Sequence, residues 1–89
     1  MYLLKSFTLE DSNCRTICSF DLFIKEGEPI LVESALEPSG ARAVRTSDGF
    51  EEISERLWTL STMCSGDTKV KRVIRELHKC LIDYRYSSM

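Results

Sequence analysis

The residues best suited to chemistry in this 89-residue chain are one histidine, His78, and four cysteines, Cys14, Cys18, Cys64 and Cys80. Cys14 and Cys18 fall in a predicted strand, where four residues span about 13 Å, so they can neither bridge each other nor share one metal ion. The chain has no CxxC motif, and a single histidine leaves zinc without a complete ligand set. We therefore expect reduced thiols that pack as small hydrophobic side chains, with no metal and no cofactor.

A catalytic site would require a nucleophile, an acid–base pair or a cradle for phosphates. His78 lies within a predicted helix among charged residues, which is typical of a solvated helix face. Cys18 and Cys80 are the thiols nearest to a catalytic role, but nothing beside them in the sequence activates them. The acidic cluster at 51–55 falls in the first turns of a helix, where it complements the helix dipole. The sequence thus predicts a protein that is not an enzyme.

Composition places the chain among folded globular proteins, with 43% apolar and 29% charged residues and a net charge of −2. The near balance of charge argues against a nucleic-acid mimic and against an obvious nucleic-acid binder. No segment approaches the ~20 apolar residues that a membrane span requires. Residues 1–5 lack the charged region and long apolar run of a secretory signal, so we expect a single cytoplasmic domain over 1–89.

The first part of the chain, 1–46, has the two-residue periodicity of strands. Predicted strands cover Tyr2–Leu9, Arg15–Lys25 and Pro29–Glu37, and a short fourth strand covers Ala41–Arg45. In the second strand the side chains predicted to be buried are Cys18, Phe20, Leu22 and Ile24. Turn residues separate these segments, which favours an antiparallel meander of three or four strands.

The loop Glu26-Gly27-Glu28 decides how the second and third strands align. A three-residue loop places Ile24 opposite Ile30 and Phe23 opposite Leu31. A two-residue loop would instead set Phe20 against Glu33 on the buried face. Because a carboxylate on that face is unfavourable, the hydrophobic pattern predicts the three-residue register.

The second part, 47–84, has helical periodicity. Asp48 is the predicted cap of the first helix, with Glu51 as its reciprocal partner. The predicted buried stripe of this helix is Phe50, Ile53, Leu57 and Leu60, with Trp58 at its edge. Gly66 ends the first helix and Asp67 begins the second, whose predicted buried residues are Val70, Val73, Ile74, Leu77, Leu81 and Tyr84. Residues 85–89 are predicted to form a frayed tail.

Strands followed by helices predict an α+β fold, in which the helical hairpin packs on one face of the meander. The other sheet face then becomes a candidate binding surface. In the predicted register this surface presents Arg15, Asp21, Phe23, Lys25, Leu31 and Glu33. A cross-strand Phe–Leu pair on a solvent-facing surface favours contact with a protein, either a different protein or a second copy of the chain.

The second candidate surface is the outward side of the second helix. Segment 67–89 holds six basic against three acidic residues. Lys71, Arg72, Arg75 and Lys79 share the outward side and could bind phosphates or an acidic partner. The alternative is a solvated amphipathic helix, neutralised in part by the acidic helix beside it, and no aromatic residue interleaves with the basic ones to suggest base stacking.

The layout resembles small phage-encoded anti-CRISPR proteins that inhibit type I surveillance complexes. The resemblance spans residues 20–81 and rests on the Glu26-Gly27 turn, the Val32-Glu33 pair, Gly40-Ala41-Arg42 and the Ser65-Gly66 loop. It implies a sheet face that grips a subunit of the complex through aromatic and acidic side chains, with Glu33 at the acidic position. Where tyrosines would be expected, this chain has Ile24 or Lys25 and Ser6-Phe7.

These observations predict a non-catalytic protein-binding module, with the resemblance implying a phage or mobile-element inhibitor of a host complex that acts by steric occlusion. The competing prediction is a small nucleic-acid-binding domain that uses the basic face of the second helix. A homodimer is the third expectation, since an unprotected sheet edge can pair across a twofold axis.

Overall fold

The computed structural model describes residues 1–10 and 16–87. Its elements are β1 (Tyr2–Glu10), β2 (Thr16–Lys25), β3 (Glu28–Leu36), β4 (Arg42–Asp48), α1 (Phe50–Met63) and α2 (Thr68–Ser87). The strands are antiparallel neighbours in the order β1-β2-β3-β4. The predicted α+β fold, a meander followed by two helices, is therefore confirmed.

Both helices pack against the same face of the sheet, α1 over β3 and β4 and α2 over β1. The core between the layers is built from strand, α1 and α2 side chains in comparable numbers. Its members are Phe20, Leu22, Ile24, Leu31, Ile53, Leu57, Leu60, Val73, Ile74, Leu77 and Leu81. Burying these side chains is the main source of stability, because each stabilises the folded state by about 1.5–3 kcal/mol.

The predicted register between β2 and β3 is wrong by one residue. The turn between the strands has two residues, and Phe20 lies opposite Glu33, while Leu22 lies opposite Leu31. Glu26 and Gly27 have φ values of +53° and +81°, the left-handed pair that a two-residue hairpin turn requires because its twist matches that of the strands. The Tyr84 hydroxyl of α2 donates a hydrogen bond of 3.2 Å to the Gly27 carbonyl and ties this turn to the helical layer.

The one-residue shift exchanges the two faces of β3. Leu31 is 0% exposed and Glu33 is 8% exposed, so both face the helices and neither lies on the uncovered side of the sheet. Ile30 and Val32 take that side instead, since successive side chains in a strand point to opposite faces. Phe23 is accordingly opposite Ile30, and Asp21 is opposite Val32.

The start of α1 also differs from the prediction. The fourth strand continues to Asp48, which pairs with Ile30, and the helix follows directly from Gly49. Gly49 is the N-cap residue and offers no side-chain cap. The carboxylate of Glu52, rather than Glu51, accepts a hydrogen bond from the Asp48 backbone N–H at 3.2 Å. The predicted capping box of Asp48 and Glu51 is therefore wrong, because the ladder holds Asp48 in the strand.

Gly49 makes this tight junction feasible because it adopts φ +88° and ψ 157°, a conformation that other residues almost never occupy. We expect Gly49→Ala to lower the free energy of unfolding by about 1–3 kcal/mol, measured by urea denaturation. A Cβ at Gly49 would meet nothing within 4 Å, so the cost would be conformational. Gly66→Ala is the matched control, as Gly66 has equally open surroundings and no positive φ. Equal stabilities of the two variants would contradict this view.

The α1–α2 connection follows the prediction in part. α1 ends at Met63, before Gly66, and Asp67 caps α2 through its Oδ1, which accepts hydrogen bonds from the Lys69 and Val70 N–H groups at 3.1 and 3.2 Å. The prediction of a frayed tail over residues 85–89 is wrong for residues 85–87, because α2 continues to Ser87, and residues 88 and 89 lie outside the described residues. Neither helix in the described part of the chain has the length and apolar composition needed to cross a bilayer.

Candidate binding surfaces

One side of the sheet carries no helix, and we call it the open face. Three of its residues, Leu3 of β1, Phe23 of β2 and Ile30 of β3, lie side by side across neighbouring strands. Adjacent strands are about 4.8 Å apart, so these side chains form a continuous apolar row. Leu3 is 51% exposed, while Phe23 and Ile30 are half-buried by one another and by their neighbours. Such a row on an uncovered sheet is a candidate contact surface by its composition.

Polar groups beside the row are already partly engaged. The Ser6 hydroxyl donates a hydrogen bond of 2.5 Å to Asp21, and the Ser19 and Ser34 hydroxyls share one of 2.7 Å across β2 and β3. Lys25 is exposed at the end of β2. These two contacts restrain the Ser6, Asp21, Ser19 and Ser34 side chains within the open face.

Only some of the residues that the sequence predicts for this surface lie on the open face. Asp21, Phe23 and Lys25 do lie on the open face. Leu31 and Glu33 belong to the core face, for the reason given by the register. Arg15 lies outside the described residues.

Glu33 is instead the centre of an ion pair between the layers. The Arg56 guanidinium donates two hydrogen bonds to the Glu33 carboxylate, from Nε to Oε2 at 2.9 Å and from Nη2 to Oε1 at 3.1 Å. The Glu33 side chain is 10% exposed, and the Arg56 side chain is 19% exposed. This two-pronged geometry satisfies the carboxylate that the hydrophobic pattern excludes from the buried face. Glu33, the acidic position implied by the resemblance, is therefore engaged in an ion pair that holds α1 against the sheet.

A recess of about 550 Å³ adjoins this pair at one end of the domain. Cys18, Cys64 and Val70 line it together with the ion pair. Burial raises the pKa of the Cys18 thiol, and the nearby Asp67 and Cys64 raise it further. The thiol therefore stays protonated at neutral pH, which makes it a weak nucleophile. Cys18, Cys64 and Cys80 are free thiols, and Cys14 lies outside the described residues.

His78 and Cys80 point into different grooves and do not meet. His78 lines a groove with Ser61 between the two helices, whereas Cys80 lines one with Leu4 and Lys5 beside β1. Over residues 1–10 and 16–87, no hydrogen bond joins His78 to Ser61, and no three potential metal ligands cluster.

The outward side of α2 carries the predicted basic residues Lys71, Arg72, Arg75 and Lys79, all exposed. Trp58 of α1 lies beside them and is 69% exposed, so its predicted position at the edge of the buried stripe is wrong. Trp58, Lys71 and Arg75 line one groove. The sequence did not link Trp58 to this surface, because the contact depends on how α1 packs against α2. The hint in the sequence was the position of Trp58 on the helix, which is to one side of the stripe formed by Ile53, Leu57 and Leu60.

Comparison with known proteins finds no family model, no curated protein sequence and no solved structure that matches this chain.

Proposed function

We propose that this domain is a non-catalytic module that binds a protein through the open face of its sheet. The observation that carries the proposal is the apolar row of Leu3, Phe23 and Ile30 on a face that no helix covers. Val32 and Leu36 of β3 extend the apolar surface on both sides of Ser34, and both are half-buried. An exposed apolar row of this kind is typical of a surface that a partner covers.

The size of the open face supports a protein-sized partner. Four strands about 4.8 Å apart and a nine-residue β3 give a sheet of about 19 Å by 30 Å. With the relief of its side chains, this area approaches the ~800 Å² that each partner contributes to a standard interface. The rigid hydrogen-bonded ladder keeps the row in place, so little ordering is required on binding.

The charges of the open face support a protein over a nucleic acid. Asp21 stands one row away from Phe23, and Asp48 lies opposite Ile30 at the end of the same apolar row. These carboxylates would repel phosphates, whereas a protein surface can present basic groups to them. Lys25 adds one charge of the opposite sign to this face.

We further propose that the bound partner is a host complex and that the domain inhibits it in the cytoplasm by occluding its working surface. The resemblance to inhibitors of type I surveillance complexes supports this step through the order of the elements and the use of a sheet face. In this chain the aromatic anchor would be Phe23, and the acidic contact would be Asp21, because Glu33 is engaged with Arg56. A second copy of the chain is the competing occupant of the open face.

Affinity capture from host lysate, with and without nuclease, tests the proposal when the captured protein is then purified and titrated. Phe23→Thr with Ile30→Thr places threonine, a β-branched residue that favours strands, at both positions and removes two of the three side chains of the apolar row. We expect this variant to bind at least roughly 100-fold more weakly, since two central anchors contribute about 2 kcal/mol or more each. Met63→Thr with Ile82→Thr is the matched control, as both residues are exposed on the helical layer.

Three results would contradict the proposal. The first is retention that disappears with nuclease, the second is equal binding by the sheet variant, and the third is equal loss in the control. Light scattering addresses the second copy: a mass that rises above 10.2 kDa with concentration and returns to it in the sheet variant would assign the open face to a homodimer. Purified type I surveillance complex is the first inhibition target, assayed by its binding of target DNA.

A further inference from the structure

A groove of about 330 Å³ runs between α1 and α2 on the outer surface of the helical layer. Its lining residues are Trp58, Ser61, Lys71, Ile74, Arg75 and His78. The buried Ile74 lies at its floor, and the largely exposed indole of Trp58 forms one wall. The opposite wall belongs to α2 and is basic. An aromatic ring therefore faces cationic side chains across an open trough.

The basic wall continues beyond this groove. An adjoining recess of about 260 Å³ is lined by Ser65, Thr68, Lys71, Arg72 and Arg75, so Lys71 and Arg75 belong to both. From Thr68 to His78 the helix rises about 15 Å. At the ~3.4 Å spacing of a stacked strand, that length matches about four phosphates.

Within residues 1–10 and 16–87, none of Lys71, Arg72 and Arg75 forms an ion pair with a carboxylate. Glu52 and Glu55, expected to offset the basic helix, line a recess on the other side of α1, next to β4. These two carboxylates therefore do not line the groove, whose charged lining residues, Lys71 and Arg75, are both basic although the net charge of the chain is −2.

We propose that this groove binds single-stranded nucleic acid, with one base stacked on Trp58 and the adjoining phosphates on Lys71, Arg72 and Arg75. A cationic track with an exposed aromatic ring is the arrangement used by proteins that bind single strands without sequence preference. A duplex fits less well, because its bases are already stacked and cannot lie on the indole. An acidic peptide would use the cations and leave the indole unused. This site is separate from the open face and stands independently of the proposed protein partner.

Trp58 is the only tryptophan in the chain, so fluorescence excited at the red edge of the absorption band, where the three tyrosines do not absorb, reports on this groove. We expect a 12-nucleotide thymidylate strand to quench Trp58 in a saturable titration. Neutralising three to four phosphates gives a slope of about −2 to −3 for log affinity against log salt. Between 50 and 200 mM salt, the affinity should therefore fall by about 20- to 50-fold.

Variants separate the two parts of the site, using anisotropy of a labelled strand. We expect Arg75→Glu to weaken binding at least 10-fold and Trp58→Leu at least 5-fold, magnitudes set by one phosphate contact and one stacked base. Lys69→Glu is the matched control, because Lys69 is exposed on the same helix but lines neither recess. This control should change the affinity less than 2-fold. Thermal melting of each variant checks that the exposed substitutions leave the fold intact.

Four outcomes would overturn the proposal. They are no quenching by the strand at 50 mM salt, full affinity in Trp58→Leu, equal loss in Lys69→Glu and Arg75→Glu, and binding of a polyglutamate peptide or a 12-base-pair duplex as tight as that of the strand. The polyglutamate result would reassign the groove to an acidic protein. The duplex result would leave a phosphate-binding track without base stacking.

Discussion

Arg56→Ala should lower the free energy of unfolding by about 2–4 kcal/mol, because it leaves the Glu33 carboxylate on the core face without its two hydrogen bonds. Glu33→Ala should cost less, since the Arg56 side chain is the more exposed partner and its charge can reach water. For a domain of this length, total stability is about 4–13 kcal/mol, so the loss is a large share of it. Each kcal/mol lowers the melting temperature by about 4–8 °C.

The control for this prediction replaces both partners. Glu33→Leu with Arg56→Leu removes the charges together and fills similar volume, and buried pairs replaced in this way are often neutral or stabilising. We expect the double variant to lie within about 1 kcal/mol of the wild type and above either single alanine variant. A loss below about 1 kcal/mol in Arg56→Ala would mean that water or Arg45, the cross-strand neighbour of Glu33, replaces the guanidinium.

Leu31→Ala should cost about 3 kcal/mol, whereas Ile30→Ala should cost about 1 kcal/mol, although the two residues are adjacent. Leu31 is 0% exposed beneath the helices, and its truncation leaves a cavity among Leu22 and Leu57 in the core cluster. Ile30 lies on the open face, where water can fill the space of a removed side chain. Chemical denaturation of both variants measures the difference. The three-residue register gives the opposite order, so equal or reversed costs would contradict the two-residue turn.

The order of elements could be predicted from the sequence because it depends on local periodicity. β2 alternates apolar and polar residues from Cys18 to Leu22, and α2 repeats its apolar residues every three or four positions. These patterns report which face is buried without knowledge of the partner element. Asp21, Phe23 and Lys25 were placed on the open face for this reason.

The register of β3 could not be predicted in the same way. The choice depended on the cost of burying Glu33, and that cost is removed by Arg56, which is 23 positions away and in a helix. The turn also uses Glu26 at a positive φ, where glycine, asparagine or aspartate is usual. The local signal and the apparent burial cost therefore both favoured the wrong register. The available hint of a partner for Glu33 was Arg56, a basic residue one helical turn before the buried Leu60.

The groove between α1 and α2 could be predicted from the sequence only in part, because it also depends on contacts between elements. The basic residues of α2 are visible in the sequence, but their relation to Trp58 depends on the rotation of α1 about its axis. The sequence predicts that the acidic helix partly neutralises the basic track, but two carboxylates of α1, Glu52 and Glu55, line the recess next to β4 instead. Contacts between layers, in contrast to periodicity within an element, need the packed structure.

Footprinting by radical labelling of the complex tests the central proposal, that the open face is the protein-binding surface, most directly. It compares labelling of Phe23 and Ile30 with that of Trp58 in the free and bound domain. The proposal predicts that labelling of Phe23 and Ile30 falls several-fold in the complex with the captured protein, while labelling of Trp58 is unchanged. Protection of Trp58 with unchanged Phe23 and Ile30 would contradict it and would assign protein binding to the helical layer.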